Sequence, residues 1–137
     1  MKLIAILLAL ASSSAMAAAP FSGTDYSGTY ECKGDDNHEG QYEAIVTLKL
    51  DKAQSNGKYG AYQFKMEVPG YGEYPGHAAA YGANMAIHFA NTDAATKDYG
   101  TGIAAFTKKA GKWTFKKYYF EPEFKGGNFG FENCRQK

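Results

Sequence analysis

The stretch Ser27-Gly28-Thr29-Tyr30-Glu31-Cys32 decides the fold, together with Cys134 near the other end of the chain. The alternation of its side chains predicts a first β-strand. The chain has 2 cysteines, and a disulfide between Cys32 and Cys134 would tie the last strand to the first, which closes a sheet into a barrel. In the chain-entropy account, a bond that closes a loop of this length stabilises the fold by about 4–5 kcal/mol.

The N-terminal segment has the pattern of a secretory signal peptide. Lys2 supplies the positive charge, residues 3–10 are apolar, and Ala15-Met16-Ala17 has the small-x-small pattern of a cleavage site. We therefore predict a signal peptide over 1–17 and a single β-barrel domain over 18–137. No later segment is long and apolar enough to span a bilayer, so the predicted location is periplasmic or secreted, without membrane insertion.

Composition and motifs exclude several classes of function. Removing 17 of the 137 residues leaves 120, with 14 basic and 14 acidic side chains. This balance argues against nucleic acid or an anionic membrane as a partner. The chain contains no nucleophile elbow, phosphate-binding glycine loop or Cys-x-x-Cys pair. The sequence therefore predicts a protein that is not an enzyme, with no catalytic residues and no cofactor.

Alternation with period two dominates from residue 18 onward and predicts an all-β fold. Eight strands are predicted, at 26–33, 41–50, 58–68, 78–81, 84–90, 101–107, 112–120 and 128–134. Their short connections indicate an antiparallel up-and-down eight-stranded barrel, because pairing the eighth strand with the first removes both exposed edges. A two-sheet β-sandwich is the alternative.

The first strand carries a family resemblance. Ser27-Gly28-Thr29-Tyr30 resembles the opening of calycins, the lipocalin and avidin superfamily, whose first strand begins Gly-x-Trp or Gly-Thr-Trp. Tyr30 stands where that family has tryptophan, and a lipocalin C-terminal helix is lacking. The resemblance implies an eight-stranded barrel with a ligand site at one mouth.

A second resemblance implies a different function. Tyr30-Glu31-Cys32, Cys134 and the segment Ser55-Asn56-Gly57-Lys58-Tyr59 are similar to periplasmic inhibitors of C-type lysozyme. Those inhibitors are small exported barrels in which an early Tyr-x-Cys is bridged to a late cysteine. The segment is one residue shorter than the family's loop, and Lys125-Gly126 comes too late to match the family's Lys-Gly element. The resemblance implies a protein-binding inhibitor of a secreted hydrolase, with Ser55, Lys58 and Tyr59 at its contact.

A glycine- and proline-rich loop is predicted over residues 69–77. Aromatic rings on a preorganised loop make good binding anchors, although such a loop can also fold back and plug a barrel. We expect an exported binding module with a small apolar or aromatic ligand at the barrel mouth, beside this loop. The predicted ligand-binding residues are Tyr71, Tyr74, His77, Phe64, Met66 and Phe115.

The remaining polar groups are predicted to be solvated. Alternation along strand 112–120 is expected to send its aromatic side chains inward and its lysines outward. The acidic run 35–39 lacks the alternating ligands of a calcium loop and is read as a turn. No sequence spacing links His77, His88 and Glu73 as metal ligands, so no metal site is predicted.

Overall fold

The computed structural model describes residues 19–137, and the predicted signal peptide lies outside the described residues. None of the helices in this described part of the chain is long and apolar enough to cross a membrane.

Eight strands and two single-turn 3₁₀ helices make up the described chain. The strands are β1 (Gly28–Asp36), β2 (Gly40–Asn56), β3 (Tyr59–Val68), β4 (Gly72–Tyr81), β5 (Asn84–Ala90), β6 (Tyr99–Lys109), β7 (Lys112–Glu121) and β8 (Asn128–Gln136). One 3₁₀ helix, Ala94–Thr96, lies between β5 and β6, and the other, Phe124–Gly126, lies between β7 and β8.

The strands form a closed barrel. Each strand pairs antiparallel with the next, and β8 pairs with β1. The register places Cys32 opposite Cys134, and these residues form the predicted disulfide between positions 102 residues apart. The predicted up-and-down barrel is therefore confirmed, and the two-sheet sandwich is wrong. The architecture is compatible with the calycin-like fold that the first strand implies.

The fourth strand is longer than predicted. It was expected at 78–81, but β4 begins at Gly72, so most of the predicted loop 69–77 is strand. Pro75 lies exposed on the outside of the barrel, where it pairs with Lys65. Gly76 approaches the backbone of His88 so closely that a Cβ would collide with it. The glycine that suggested a loop instead lets β4 and β5 pack together.

The first strand also runs further than predicted. The polar turn was expected at 34–40, but β1 continues to Asp36 and only residues 37–39 turn. The Asp36 carboxylate ends the strand by accepting hydrogen bonds from the backbone N–H groups of His38 and Glu39, at 2.8 and 2.9 Å. Gly34 and Asp36 therefore face the barrel interior rather than solvent.

One end of the barrel is closed by the chain before β1. Tyr26 is buried there, and its hydroxyl donates to the Gly82 carbonyl at 2.8 Å. Its ring stacks on Phe106, with centroids 4.2 Å apart, and meets Trp113 edge-on at 4.9 Å. The opposite end, where β1–β2, β3–β4, β5–β6 and β7–β8 are connected, holds the cavity described next.

Candidate functional site

A cavity of about 40 Å³ lies at this second end, which we call the acidic mouth. Its lining combines aromatic rings with an excess of carboxyl groups. The lining residues are Asp36, Glu39, Tyr42, Met66, Val68, Tyr71, Tyr74, Phe89, Asp98, Lys117, Tyr119, Glu121, Phe124 and Glu132. At roughly 10–15 Å³ for each water, the cavity has room for about three waters or one ammonium-sized group.

A buried ion pair forms the floor of the acidic mouth. The Lys117 ammonium lies 2.8 Å from a Glu132 carboxylate oxygen, and both side chains are 0% exposed. The ammonium also lies 5.2 Å from the centroid of the Phe89 ring, within cation–π range. The Tyr42 hydroxyl donates to the other Glu132 oxygen at 2.6 Å. Lys117 and Glu132 therefore neutralise each other, and none of the other described residues that line the cavity is a cation.

Asp36 is held by donors on every side. Besides the two backbone N–H groups of the turn, the Tyr119 hydroxyl donates to it at 2.7 Å and the Asn128 amide at 2.8 Å. Burial alone would raise the pKa of the Asp36 carboxyl, but these hydrogen bonds outweigh it and lower the pKa. Asp36 therefore contributes a negative charge to the acidic mouth at neutral pH.

Two glycines make room for the tyrosines of this network. Gly34 lies opposite Tyr42 in the β1–β2 register, and Gly130 lies opposite Tyr119 in the β7–β8 register. A Cβ at either glycine would collide with the tyrosine ring opposite it. The missing side chains let both rings lie flat across the sheet, which aims their hydroxyls at the carboxylates.

The Glu121 and Asp98 carboxyls have the fewest hydrogen-bond donors of the buried carboxyl groups in the acidic mouth. Burial raises the pKa of the Glu121 carboxyl to about 8, and the neighbouring carboxylates of Asp98 and Asp36 add to the shift. The Asn128 amide donates to Glu121 at 2.7 Å, and the Tyr74 hydroxyl donates to Asp98 at 2.6 Å. Glu121 is therefore largely protonated at pH 7.

Two oxygen acceptors remain open in this region. Within residues 19–137, Oδ1 of Asp98 and Oδ1 of Asn128 are the buried side-chain atoms without a hydrogen-bond partner. Asp98 is 8% exposed and Asn128 is 2% exposed. A protonated Glu121 carboxyl can supply one donor to Asp98. These open acceptors lie beside three carboxyl groups that have no counter-charge among the cavity-lining residues. The arrangement suits a ligand that carries hydrogen-bond donors and a positive charge.

The rim of the acidic mouth is more exposed. Lys125 forms an ion pair with Glu39, and the Tyr71 hydroxyl donates to Glu39 at 3.0 Å. The Lys125 ammonium lies 5.3 Å from the centroid of the Phe124 ring. Tyr71 and Phe124 thus present aromatic surface at the entrance.

The acidic mouth does not have the geometry of a bound metal ion. Among the described residues, only Cys32, Glu132 and Cys134 bring three ligand atoms of the His, Cys, Asp and Glu types within 4.8 Å of one another. Those two sulfurs are bonded to each other and offer no thiolate. The Asp36, Asp98 and Glu121 carboxyls do not form a group of this kind.

The six predicted ligand-binding residues lie in three different parts of the structure. Tyr71, Tyr74 and Met66 line the acidic mouth. Phe64 and Phe115 are buried in the hydrophobic core and do not line the acidic mouth. His77 lies exposed on the outside of the barrel.

The residues suggested by the inhibitor resemblance are also separated. Ser55 is 3% exposed, and its hydroxyl accepts from the Ala61 N–H and donates to the Asp51 carbonyl. Ser55 therefore has a structural role in the turn. Lys58 and Tyr59 are exposed, and Tyr59 stacks on Tyr81 with ring centroids 4.9 Å apart.

The carboxyl groups of the acidic mouth were not predicted as site residues. Lys117 was expected in solvent, but it has the same parity as Phe115 and Tyr119 and faces inward. Glu121 and Glu132 extend the inward rows of β7 and β8 in the same way. Applying the alternation of inward and outward side chains along the whole of each strand would have placed these three residues in the interior.

Comparisons with protein-family models, with curated proteins and with solved structures found no match for this chain. The chemistry of the acidic mouth is therefore the basis for inferring a function.

Proposed function

We propose that this protein is an exported, non-enzymatic binding module that holds a small organic cation at the acidic mouth of its barrel. The ammonium group of the ligand enters the cavity, and its apolar body rests against Tyr71 and Phe124 at the rim. The observation that carries the proposal is the excess of buried carboxyl groups beside open acceptors. Lys117 is matched by Glu132, which leaves Asp36, Asp98 and Glu121 without a cation.

A cationic ligand fits better than the apolar or aromatic ligand expected from the sequence. The apolar half of the interior is filled by its own side chains, such as Phe64 and Phe115. The cavity at the acidic mouth is lined by carboxyl groups, and an uncharged apolar group placed there would leave them unpaired. Aromatic rings next to carboxylates are the usual surroundings of a bound ammonium group.

Binding also fits better than acid–base catalysis. A protonated Glu121 beside Asp98 could transfer a proton, and such carboxyl pairs occur in enzymes. The cavity of about 40 Å³, however, admits a head group rather than a whole substrate. The Asp36 oxygens are already engaged by four donors, which suits a fixed charge better than a proton carrier.

The barrel and its disulfide support the remaining parts of the proposal. A closed eight-stranded barrel encloses room for one small ligand, as the resemblance to calycins implies. The Cys32–Cys134 bond fits an oxidising compartment, where such bonds persist.

A matched set of three probes tests the charge requirement. 2-Phenylethylamine, 2-phenylethanol and 3-phenylpropanoate differ mainly in the charge of the end group. We expect the amine alone to raise the melting temperature and to bind measurably by isothermal titration calorimetry. Asp98→Asn should weaken amine binding by roughly tenfold to a hundredfold, because a hydrogen bond to a charged group is lost.

Asp35→Asn is the matched control for this experiment. It makes the same chemical change on the outward, exposed face of β1 and should leave amine binding unaltered. Equal binding of the alcohol and the amine would overturn the cation proposal in favour of an apolar ligand. No binding of any probe would overturn the small-molecule site.

A second candidate function is weak binding to another secreted protein, and an exposed apolar face favours it. This face lies on the outside of β6, β7 and β8, and Tyr118 and Phe131 meet there with ring centroids 5.5 Å apart. Its members are Ile103, Tyr118, Phe120, Phe129 and Phe131, each 43–65% exposed. At roughly 100 Å² of exposed area for each, the face offers about 500 Å². A stable complex buries about 800 Å² on each partner, so this face suits a transient apolar contact.

A further inference from the structure

Two histidines that are distant in sequence lie side by side on the outside of the barrel. The register of β4 and β5 places His77 directly opposite His88. Their ring centroids are 5.2 Å apart, and the ring planes are tilted by 40°. Both side chains are exposed.

Neither ring has another partner in the described chain. Across residues 19–137, no hydrogen bond or ion pair ends on the imidazole of His77 or His88, whereas the ring of His38 lies 3.4 Å from the Gly127 carbonyl. Gln63 lies opposite His77 on β3, and Thr101 lies opposite His88 on β6. The Thr101 hydroxyl is occupied, since it donates to the Ile87 carbonyl at 3.1 Å.

The separation of the rings matches two imidazoles on one metal ion. A metal–nitrogen bond of about 2 Å and a ring radius of about 1.1 Å place each ring centroid about 3 Å from the ion. At a tetrahedral angle, two such centroids are about 5 Å apart, and at the right angle between neighbouring ligands of tetragonal Cu²⁺ they are about 4.4 Å apart. The observed 5.2 Å is close to both separations, so rotation of the two exposed side chains is enough to bring both rings onto one ion.

We propose that His77 and His88 form a two-imidazole site for a transition-metal ion, with Cu²⁺ bound more tightly than Ni²⁺ or Zn²⁺. Imidazole nitrogen suits these ions, and the affinity of nitrogen sites peaks at Cu²⁺. Water completes the coordination, and the exposed Gln63 amide oxygen is the nearest further donor in the register. The calcium and magnesium ions, which prefer oxygen ligands, do not bind there. The site is on the outer wall and is independent of the acidic mouth.

Titration of the tag-free protein with Cu²⁺ buffered by glycine tests this site. We expect one site for each chain, with the electron paramagnetic resonance spectrum showing coupling to two imidazole nitrogens. His77→Gln and His88→Gln should each weaken Cu²⁺ binding by roughly tenfold or more, because the second imidazole no longer acts at a high effective concentration. Both positions face solvent, so the fold is retained in these variants.

His38→Gln is the matched control, because it removes the third histidine at the turn near the acidic mouth. It should leave the affinity for Cu²⁺ and the two-nitrogen spectrum unaltered. Wild-type affinity in both His77→Gln and His88→Gln would overturn the proposal. A loss of binding in His38→Gln alone would do the same and would move the site to the turn.

Discussion

Replacing Lys117 with methionine is expected to lower the free energy of unfolding by about 3–5 kcal/mol, because it leaves a buried carboxylate without its counter-charge. Glu132 is 0% exposed and lies 2.8 Å from the Lys117 ammonium. Its remaining donor, the Tyr42 hydroxyl, cannot neutralise it. For a domain of this size the melting temperature should fall by about 10–20 °C, which differential scanning calorimetry measures directly.

Two further variants separate charge from packing in this result. Lys116→Met makes the same change one residue earlier, on the exposed face of β7, and should shift the melting temperature by a few degrees at most. Lys117→Met combined with Glu132→Met removes both charges and should recover at least half of the loss. If the double variant is no more stable than Lys117→Met, the ion pair is not the cause of the effect.

Glu121→Gln is expected to remove a pH dependence of stability. The pKa of Glu121 is about 8 in the folded protein, against an ordinary value of 4.5. The folded state therefore holds this proton more tightly than the unfolded chain between these two values. Stability from Glu121 is fully present below about pH 4.5 and is lost as the pH rises toward 8, at up to about 1.4 kcal/mol for each pH unit. Urea unfolding at pH 5.5, 6.5 and 7.5 measures it.

The glutamine variant should have no such contribution, because its uncharged amide imitates the protonated carboxyl. Its oxygen can accept from Asn128, and its N–H can donate to Asp98. At pH 7.5 we expect it to be more stable than the wild-type protein by about 3–4 kcal/mol. Glu123→Gln, at an exposed position two residues later, should keep the wild-type pH dependence. Parallel pH profiles for Glu121→Gln and the wild-type protein would contradict the buried, protonated state of Glu121.

The fold could be predicted from the sequence because alternation and the cysteine pair point to the same answer. Alternation along strand 112–120 predicted inward aromatic side chains, and Phe115 and Tyr119 are buried. The predicted start of β4 was wrong, since glycine and proline are common in loops. Gly76 in β4 is instead required where two backbones come close together, which a sequence pattern cannot show.

The alternation of side chains along β7 and β8 places Lys117, Glu121 and Glu132 inward, but the rule that charged side chains face solvent argued against this, and alternation cannot show which of them pair. Burial of this lysine depends on Glu132, which is distant in sequence and is brought next to it by the β7–β8 register. The pairing of His77 with His88 likewise depends on the β4–β5 register. Both pairs form because the register of neighbouring strands places the two residues opposite each other. The spacing of the residues along the sequence does not predict such pairs.

Counting the protons released when an ammonium ligand binds tests the cation site most directly. 2-Phenylethylamine is titrated into the protein at pH 7 in phosphate and in Tris, two buffers with different ionisation enthalpies. The amine stays protonated throughout, so any proton released comes from the protein. Because the pKa of Glu121 is about 8, we predict release of nearly one proton for each amine bound, and none from Glu121→Gln. The absence of any amine binding would contradict an ammonium site at the acidic mouth, and amine binding without proton release would contradict a contact between the ammonium group and a protonated Glu121.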